Sequence, residues 1–199
     1  MKAVILLNGE PYCGEIDASK AFVYCCDGAY EWAKGKVRID ENLGDFDSLT
    51  ITPEPPPAVI FPAEKNLTDG EIALRRALAA GAGEIAIYGG GGGREDHFLG
   101  NLHLLYAAHA CGVRAEMITN GARLFCASGR VELNGNAGKT LSIIPFGGSA
   151  HIMKSGGLKY PLNDLRLLYG STRGISNVAE SNEAYIVVAE GTVLVAVNE

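Results

Sequence analysis

The acidic residues Asp45 and Asp47 stand two apart in Gly44-Asp45-Phe46-Asp47-Ser48. In an extended segment that spacing puts both carboxylates on one side. Two like charges so close raise one pKa unless a cation lies between them. A hard ion such as Mg²⁺, held by one or two carboxylates plus phosphate and water oxygens, is the usual resolution. A solvated acidic loop is the alternative. Asp69 and Asp96, at the starts of two helical patterns, extend the acidic set. Acids at helix amino ends also stabilise by about 0.3–1 kcal/mol with no further role. Gly89 to Gly93 separate an apolar run from a helix opening Arg94-Glu95-Asp96-His97. Glycine lets backbone N–H groups approach a phosphate, the helix amino end carries partial positive charge, and Arg94 adds a forked donor. The alternative here is a merely flexible loop. Asn8-Gly9 and Cys26-Asp27-Gly28-Ala29 close two other apolar runs. His97 and Asn101 share one helix face, where a histidine serves packing as readily as binding.

Several familiar chemistries are absent. No Gly-Lys-Ser/Thr follows the glycine run, so it is not a Walker A loop. Gly81-Ala82-Gly83-Glu84-Ile85-Ala86 has dinucleotide-loop spacing but leads from helix into strand, the wrong order. No His/Cys set has zinc spacing, and no nucleophile elbow occurs. The five cysteines (Cys13, Cys25, Cys26, Cys111, Cys126) form no Cys-x-x-Cys pair and read as buried or idle thiols of a reducing compartment. A net charge of −6, without a run of Lys or Arg, argues against a nucleic-acid partner. The apolar start at residues 2–7 is too short for a signal or a membrane span. The expectation is therefore a cytoplasmic protein without a membrane partner, in which the sequon Asn66-Leu67-Thr68 has no meaning.

The elements that must position these groups come in two styles. Up to about residue 120, strand-like runs at 2–7, 21–26, 84–88 and 114–118 alternate with helical patterns. Thr68-Asp69-Gly70-Glu71 predicts a capping box, and Ile72, Leu74, Ala77 and Leu78 continue that helix to Gly81. A second helix runs from Arg94 to about Cys111. Prolines at 53, 55, 56, 57 and 62 predict an extended connection with a short strand at 58–61. Alternation of this kind implies a mostly parallel, helix-covered sheet, and in such sheets ligands bind beyond the carboxyl ends of the strands. After residue 120 short strand candidates follow one another at 123–126, 130–133, 140–146, 151–154, 164–169, 183–189 and 192–197. Glu190-Gly191 is placed as a hairpin turn between the last two. Glycine is about 13% of the chain against a usual ~7%, and 11 of the 26 glycines lie in this half. The fold expected is α/β plus all-β: a parallel-sheet nucleotide domain over 1–121, then a small β-sandwich or open barrel over 122–199.

Taken in order, Asp27-Gly28-Ala29, Gly44-Asp45-Phe46-Asp47-Ser48, Lys65-Asn66-Leu67-Thr68-Asp69-Gly70-Glu71 and the glycine run into Arg94-Glu95-Asp96-His97 resemble thiamine pyrophosphokinases. Gly157-Leu158-Lys159-Tyr160-Pro161-Leu162 and Gly174-Ile175-Ser176-Asn177 extend the resemblance over nearly the whole chain. Two positions depart from the family pattern: Asn66 stands where an aspartate often follows Lys65, and Tyr160 where a tryptophan is frequent.

The resemblance implies a cytosolic homodimer that transfers the pyrophosphoryl group of ATP to the hydroxyl of thiamine, giving thiamine diphosphate and AMP. Asp45, Asp47 and Asp69 then match metal-binding acids for Mg²⁺. Asp27, Gly28, Gly91, Gly92, Gly93, Arg94, Asp96 and His97 match the ATP side. Ser176, Asn177 and Tyr160 match the segment lining the thiamine pocket, which in the family lies at the dimer interface. Either Asp69 or Asp96 would take the proton from the thiamine hydroxyl. A nucleotide- or thiamine-binding module with weakened chemistry, and a metal-dependent phosphohydrolase, are the competing functions.

Overall fold

The structure is a computed structural model and describes residues 1–46, 53–55 and 66–199. It divides into two compact units, Met1–Asn120 and Gly121–Glu199.

The first unit contains β1 (Lys2–Leu6), β2 (Ala21–Cys26), α1 (Ala29–Ala33), β3 (Glu41–Leu43), α2 (Asp69–Ala79), β4 (Glu84–Tyr88), α3 (Glu95–Ala110) and β5 (Arg114–Ile118). Its strands pair in parallel in the order β3-β2-β1-β4-β5. A parallel sheet covered on both faces needs apolar residues at successive positions, and β1 obeys: Val4, Ile5 and Leu6 are wholly buried. Ala29, Tyr30 and Ala33 of α1 pack with Val4, Leu6 and Tyr88 on one face. α2 packs against β1, β2 and α3. Ile5, Leu6, Ile85 and Ile87 are among the largest fully buried side chains. Each removes enough surface to contribute about 1.5–3 kcal/mol, so burial concentrates on β1 and β4. Between these two strands the strand order reverses: β2 and β3 lie on one side of β1, β4 and β5 on the other. Beyond their carboxyl ends is where such sheets bind ligands.

The expected strands at 21–26, 84–88 and 114–118 and both long helices are present, and β1 stops one residue short of the expected run. α1 and β3, of five and three residues, are too short to leave a periodic signature. The expected strand at 58–61 lies outside the described residues. Thr68 caps α2, its Oγ1 accepting from the Glu71 N–H at 3.2 Å. Glu71 does not return to Thr68 to close a capping box. Its carboxylate instead accepts from Arg75 Nη2 at 2.7 Å, one turn along the helix.

The second unit is antiparallel throughout: β6 (Ala122–Glu132), β7 (Thr140–Pro145), β8 (Ala150–Gly156), β9 (Leu165–Leu167), β10 (Asn177–Val178) and β11 (Tyr185–Asn198). β11 is its spine. It pairs with β6 along both of its halves, and on its other side with β8 first and then β7. Ile186, Val188, Val193, Val195 and Val197 send their side chains into the core. The hairpin expected at Glu190-Gly191 does not form. The two segments are one strand with an irregularity between Val188 and Val193, since both keep β6 as partner instead of pairing with each other. Gly191 sits at φ +77° with its Cα turned onto Ser149, whose carbonyl oxygen a Cβ would approach to 2.4 Å. That is a bulge, which bends a strand without reversing it. Residues 123–126 and 130–132 likewise belong to one strand, β6, which ends one residue short of the expected run. Among the described residues no helix is long and apolar enough to cross a membrane.

Candidate active site

The last residues of β1 and β4 continue side by side past the ends of their strands. The Leu7 N–H donates to the Tyr88 carbonyl (2.9 Å), Gly9 to Gly89 (2.9 Å) and Glu10 to Gly91 (2.7 Å). The backbones run so close that a Cβ on Gly9 would stand 2.5 Å from the Gly89 oxygen and 2.6 Å from that of Gly91. Only glycine fits there. On the other flank of β1, the Asp27 N–H donates to the Leu43 carbonyl at 2.7 Å, which ties the end of β2 to that of β3. Asp27 itself has φ +44°, a left-handed conformation that aspartate tolerates better than most residues.

These strand ends and the amino ends of α2 and α3 enclose a cavity of about 630 Å³. The floor is Leu7 through Pro11. One wall is Cys26 and Asp27 with Thr68, Asp69 and Gly70; the other is Gly90, Gly92 and Gly93 with Arg94, His97 and Asn101. Two carboxylates, from Asp27 and Asp69, each present one oxygen fully removed from solvent. Opposite stand the amino end of α3 and Arg94, whose guanidinium is engaged by Asp96. Asn101 fixes the glycine loop from within α3, its Nδ2 donating to the Gly90 carbonyl at 2.9 Å.

Of the residues expected on the ATP side, Asp27, Gly92, Gly93, Arg94 and His97 line this cavity. Gly28 and Gly91 stand behind it. Gly91 is buried with its carbonyl bonded to Glu10, and Gly28 lies against the Asn8 amide. Asp96 points elsewhere, into a neighbouring groove between α2 and α3. There it accepts from Arg94 Nε at 3.1 Å and Nη2 at 2.6 Å. That fork holds the Asp96 carboxyl below the usual carboxylate range. Both side chains are exposed, so the pair contributes little to stability.

Asp69 is on the cavity wall, whereas Asp45 is not among the lining residues. Asp47 lies outside the described residues. Phe46, between them, adopts φ +58°, so the backbone is not extended at that residue. Among the described residues no three His, Cys, Asp or Glu side chains converge as a ready-made metal cage. The donor set does suit Mg²⁺, which takes one or two carboxylates and completes its octahedron with water and substrate phosphate.

Asn8, Gly9, Glu10, Pro11, Thr68 and Asn101 join the site without having been assigned to it by sequence. The first three follow directly on a buried strand in a parallel sheet, and that position was the available signal.

In the second unit Tyr160, Pro161 and Leu162 face Arg173, Gly174 and Ile175 across a shallow cavity of about 340 Å³. Asn177 lines it but spends its amide on the backbone of Tyr160. Ser176, at φ +60°, is exposed and off the lining; its N–H donates to Ser142 Oγ at 3.1 Å. Tyr160 is 55% exposed, with Lys159 Nζ 5.6 Å from the ring centroid.

A cavity at the reversal point of a parallel sheet, with carboxylates on one wall and a glycine loop, helix amino end and Arg94 on the other, is the arrangement a nucleotide-dependent phosphotransfer enzyme needs. The catalytic-domain model of thiamin pyrophosphokinase matches residues 14–117, and the vitamin B1 binding domain model of the same enzyme matches 130–193. The chain belongs to the thiamin pyrophosphokinase family, enzymes that transfer pyrophosphate from ATP to thiamine. A thiamine pyrophosphokinase of Bacillus subtilis is 38% identical over 146 residues, 69% of this chain and 68% of that one. A crystal structure of thiamine pyrophosphokinase from B. subtilis superposes with a TM-score of 0.86 at 27% identity, covering 100% of this chain and 99% of the other. That of Geobacillus thermodenitrificans gives 0.84 at 26%, covering 100% and 98%. The yeast enzyme, at 16% identity and a TM-score of 0.73, shares the fold over 99% of this chain and 86% of its own.

Proposed function

We propose that the 630 Å³ cavity of the first unit is the ATP site and that the transfer to thiamine is Mg²⁺-dependent. The observation that carries this reading is the pairing, on one cavity, of two carboxylates with buried oxygens and a facing wall of glycine backbone, helix amino end and Arg94. Asp69 and Asp27 on the cavity wall, with Asp45 and Asp47 as the family resemblance assigns them, are the residues that would hold the metal. When bound, it would neutralise charge on the polyphosphate. Arg94 and the amides at the start of α3 bind phosphate oxygens, and His97 and the glycine loop border the nucleotide. The thiamine hydroxyl oxygen bonds to the β-phosphorus as the α–β bridging bond breaks. AMP leaves with the bridging oxygen, and a carboxylate takes the hydroxyl proton. Most of the catalysis is then positioning and charge stabilisation. Asp69 and Asp96 are the candidate proton acceptors; Asp96 gains basicity once phosphate draws Arg94 away from it. Ser176, Asn177 and Tyr160 form or support the thiamine side, in a cytoplasmic homodimer.

Incubation with ATP, Mg²⁺ and thiamine, with products resolved by chromatography, tests this reading. Thiamine diphosphate and AMP are expected, and EDTA or Asp69→Asn abolishes both. ADP with thiamine monophosphate would make it an ordinary kinase. ATP loss without thiamine would make it a hydrolase, and binding without turnover a module that has lost its chemistry.

A further inference from the structure

Trp32 is the single tryptophan of the chain and lines neither the 630 Å³ cavity nor the groove between α2 and α3. It lies on α1, half-buried, and its indole N–H donates to the Leu7 carbonyl at 3.2 Å. That carbonyl sits where the ladder between β1 and β4 loses its regular step. From Lys2 to Leu6 the two strands advance residue for residue. A parallel ladder would carry the donors Leu7 and Gly9 to acceptors two residues apart. Instead they take Tyr88 and Gly89, adjacent residues. The slip is made at Gly89, which has φ +69°.

The same turn brings Gly89 against Leu7 and against the indole together. A Cβ on Gly89 would be 2.3 Å from the Leu7 oxygen and 2.7 Å from Trp32 Cζ2. The indole therefore supplies a donor to a carbonyl displaced from the regular ladder and a wall for the turn that displaced it. Lys36 holds the ring from outside, its Nζ 5.7 Å from the ring centroid and donating to the Tyr12 carbonyl at 2.9 Å. Immediately past this wedge, one segment becomes the cavity floor at Asn8–Pro11 and the other the wall of Gly90, Gly92 and Gly93.

We propose that Trp32 is a positioning residue for ATP: by bonding Leu7 and abutting Gly89 it sets the spacing of the two loops that receive the nucleotide. The inference rests on the cavity being the ATP site. Its consequence is selective, because the indole lies off the lining of the cavity and acts through loops assigned to one substrate.

Trp32→Phe keeps a ring against Gly89 and removes the N–H. The expected result is a rise in the ATP Kd and KM of roughly threefold to tenfold, the range for one lost hydrogen bond. kcat and the thiamine KM should stay within about twofold, consistent with a positioning effect confined to the nucleotide. Unchanged ATP affinity, or equal losses for both substrates, overturns the proposal. Tryptophan emission of the wild-type protein gives a readout free of any variant. It should shift on titration with MgATP, with the Kd found by calorimetry, and not on titration with thiamine. Constant emission while calorimetry records ATP binding overturns the role of Trp32 alone. Absence of ATP binding in calorimetry overturns the ATP-site reading and this proposal with it.

Discussion

Asn177 closes both ends of its side-chain amide on the backbone of Tyr160. Its Oδ1 accepts from the Tyr160 N–H at 3.1 Å and its Nδ2 donates to the Tyr160 carbonyl at 2.7 Å. The same Oδ1 also accepts from the Val178 N–H at 2.8 Å. A buried side chain so occupied has little left for a ligand; what it does is hold one rim of the unit-two cavity in place. In the proposed thiamine site its part is to fix where Tyr160 stands.

Asn177→Ala should accordingly act as a structural lesion with a functional echo. Leaving part-buried amides without their partner costs about 1–3 kcal/mol, measurable as a lowered denaturant midpoint. The thiamine KM should rise while the ATP KM holds. An equal rise in both would separate Asn177 from the thiamine side.

Two glycines on the same stretch of chain should respond in opposite directions. Gly92 has φ +66° and a Cβ there would fall 2.5 Å from Glu10 Cβ, so Gly92→Ala should displace the loop and weaken ATP binding at least tenfold, a penalty of about 1.4 kcal/mol or more. Gly100, inside α3, has nothing within 4 Å of its Cβ position. Gly100→Ala should stabilise by about 0.5–1 kcal/mol, as alanine does in a helix interior. Thermal unfolding and ATP calorimetry on the two variants check both statements.

The two candidate bases can be told apart by pH. The Arg94 fork holds Asp96 below the ordinary carboxylate range, so removing it lets the Asp96 pKa rise. If Asp96 takes the proton, the rate needs its ionised form. The acid limb of kcat/KM in Arg94→Ala should then move to higher pH. An acid limb that stays in place while the overall rate falls assigns the proton to Asp69 and leaves Arg94 as a phosphate ligand only.

How far the site could be read in advance depended on whether each feature was local. Buried parallel strands have to be continuous apolar runs, so β2, β4 and β5 were legible to the residue. The glycine loop and Thr68-Asp69 were legible because backbone approach and helix capping leave their requirements in adjacent residues. The hairpin assigned to Glu190-Gly191 failed for the opposite reason. A glycine between two β-runs serves a turn or a bulge equally well, and the choice belongs to β6, which holds both halves in one register. Glu71 likewise had two acceptable partners, and Arg75 took it.

The order and type of residues by themselves determined the two styles of architecture, the family, and the run of glycines and the capped helix start that border the first unit's cavity. Each of those follows from what the chain demands of its own neighbours. The tertiary structure alone decided which groups share a cavity. It brought Asn8–Pro11 against Gly89–Gly93, turned Asp96 onto Arg94 and off the lining of the first unit's cavity, and placed the indole of Trp32 behind Gly89. These are contacts between strands and helices distant in sequence. Their geometry is set by which backbones can approach each other closely, a property of pairs of segments and not of either one.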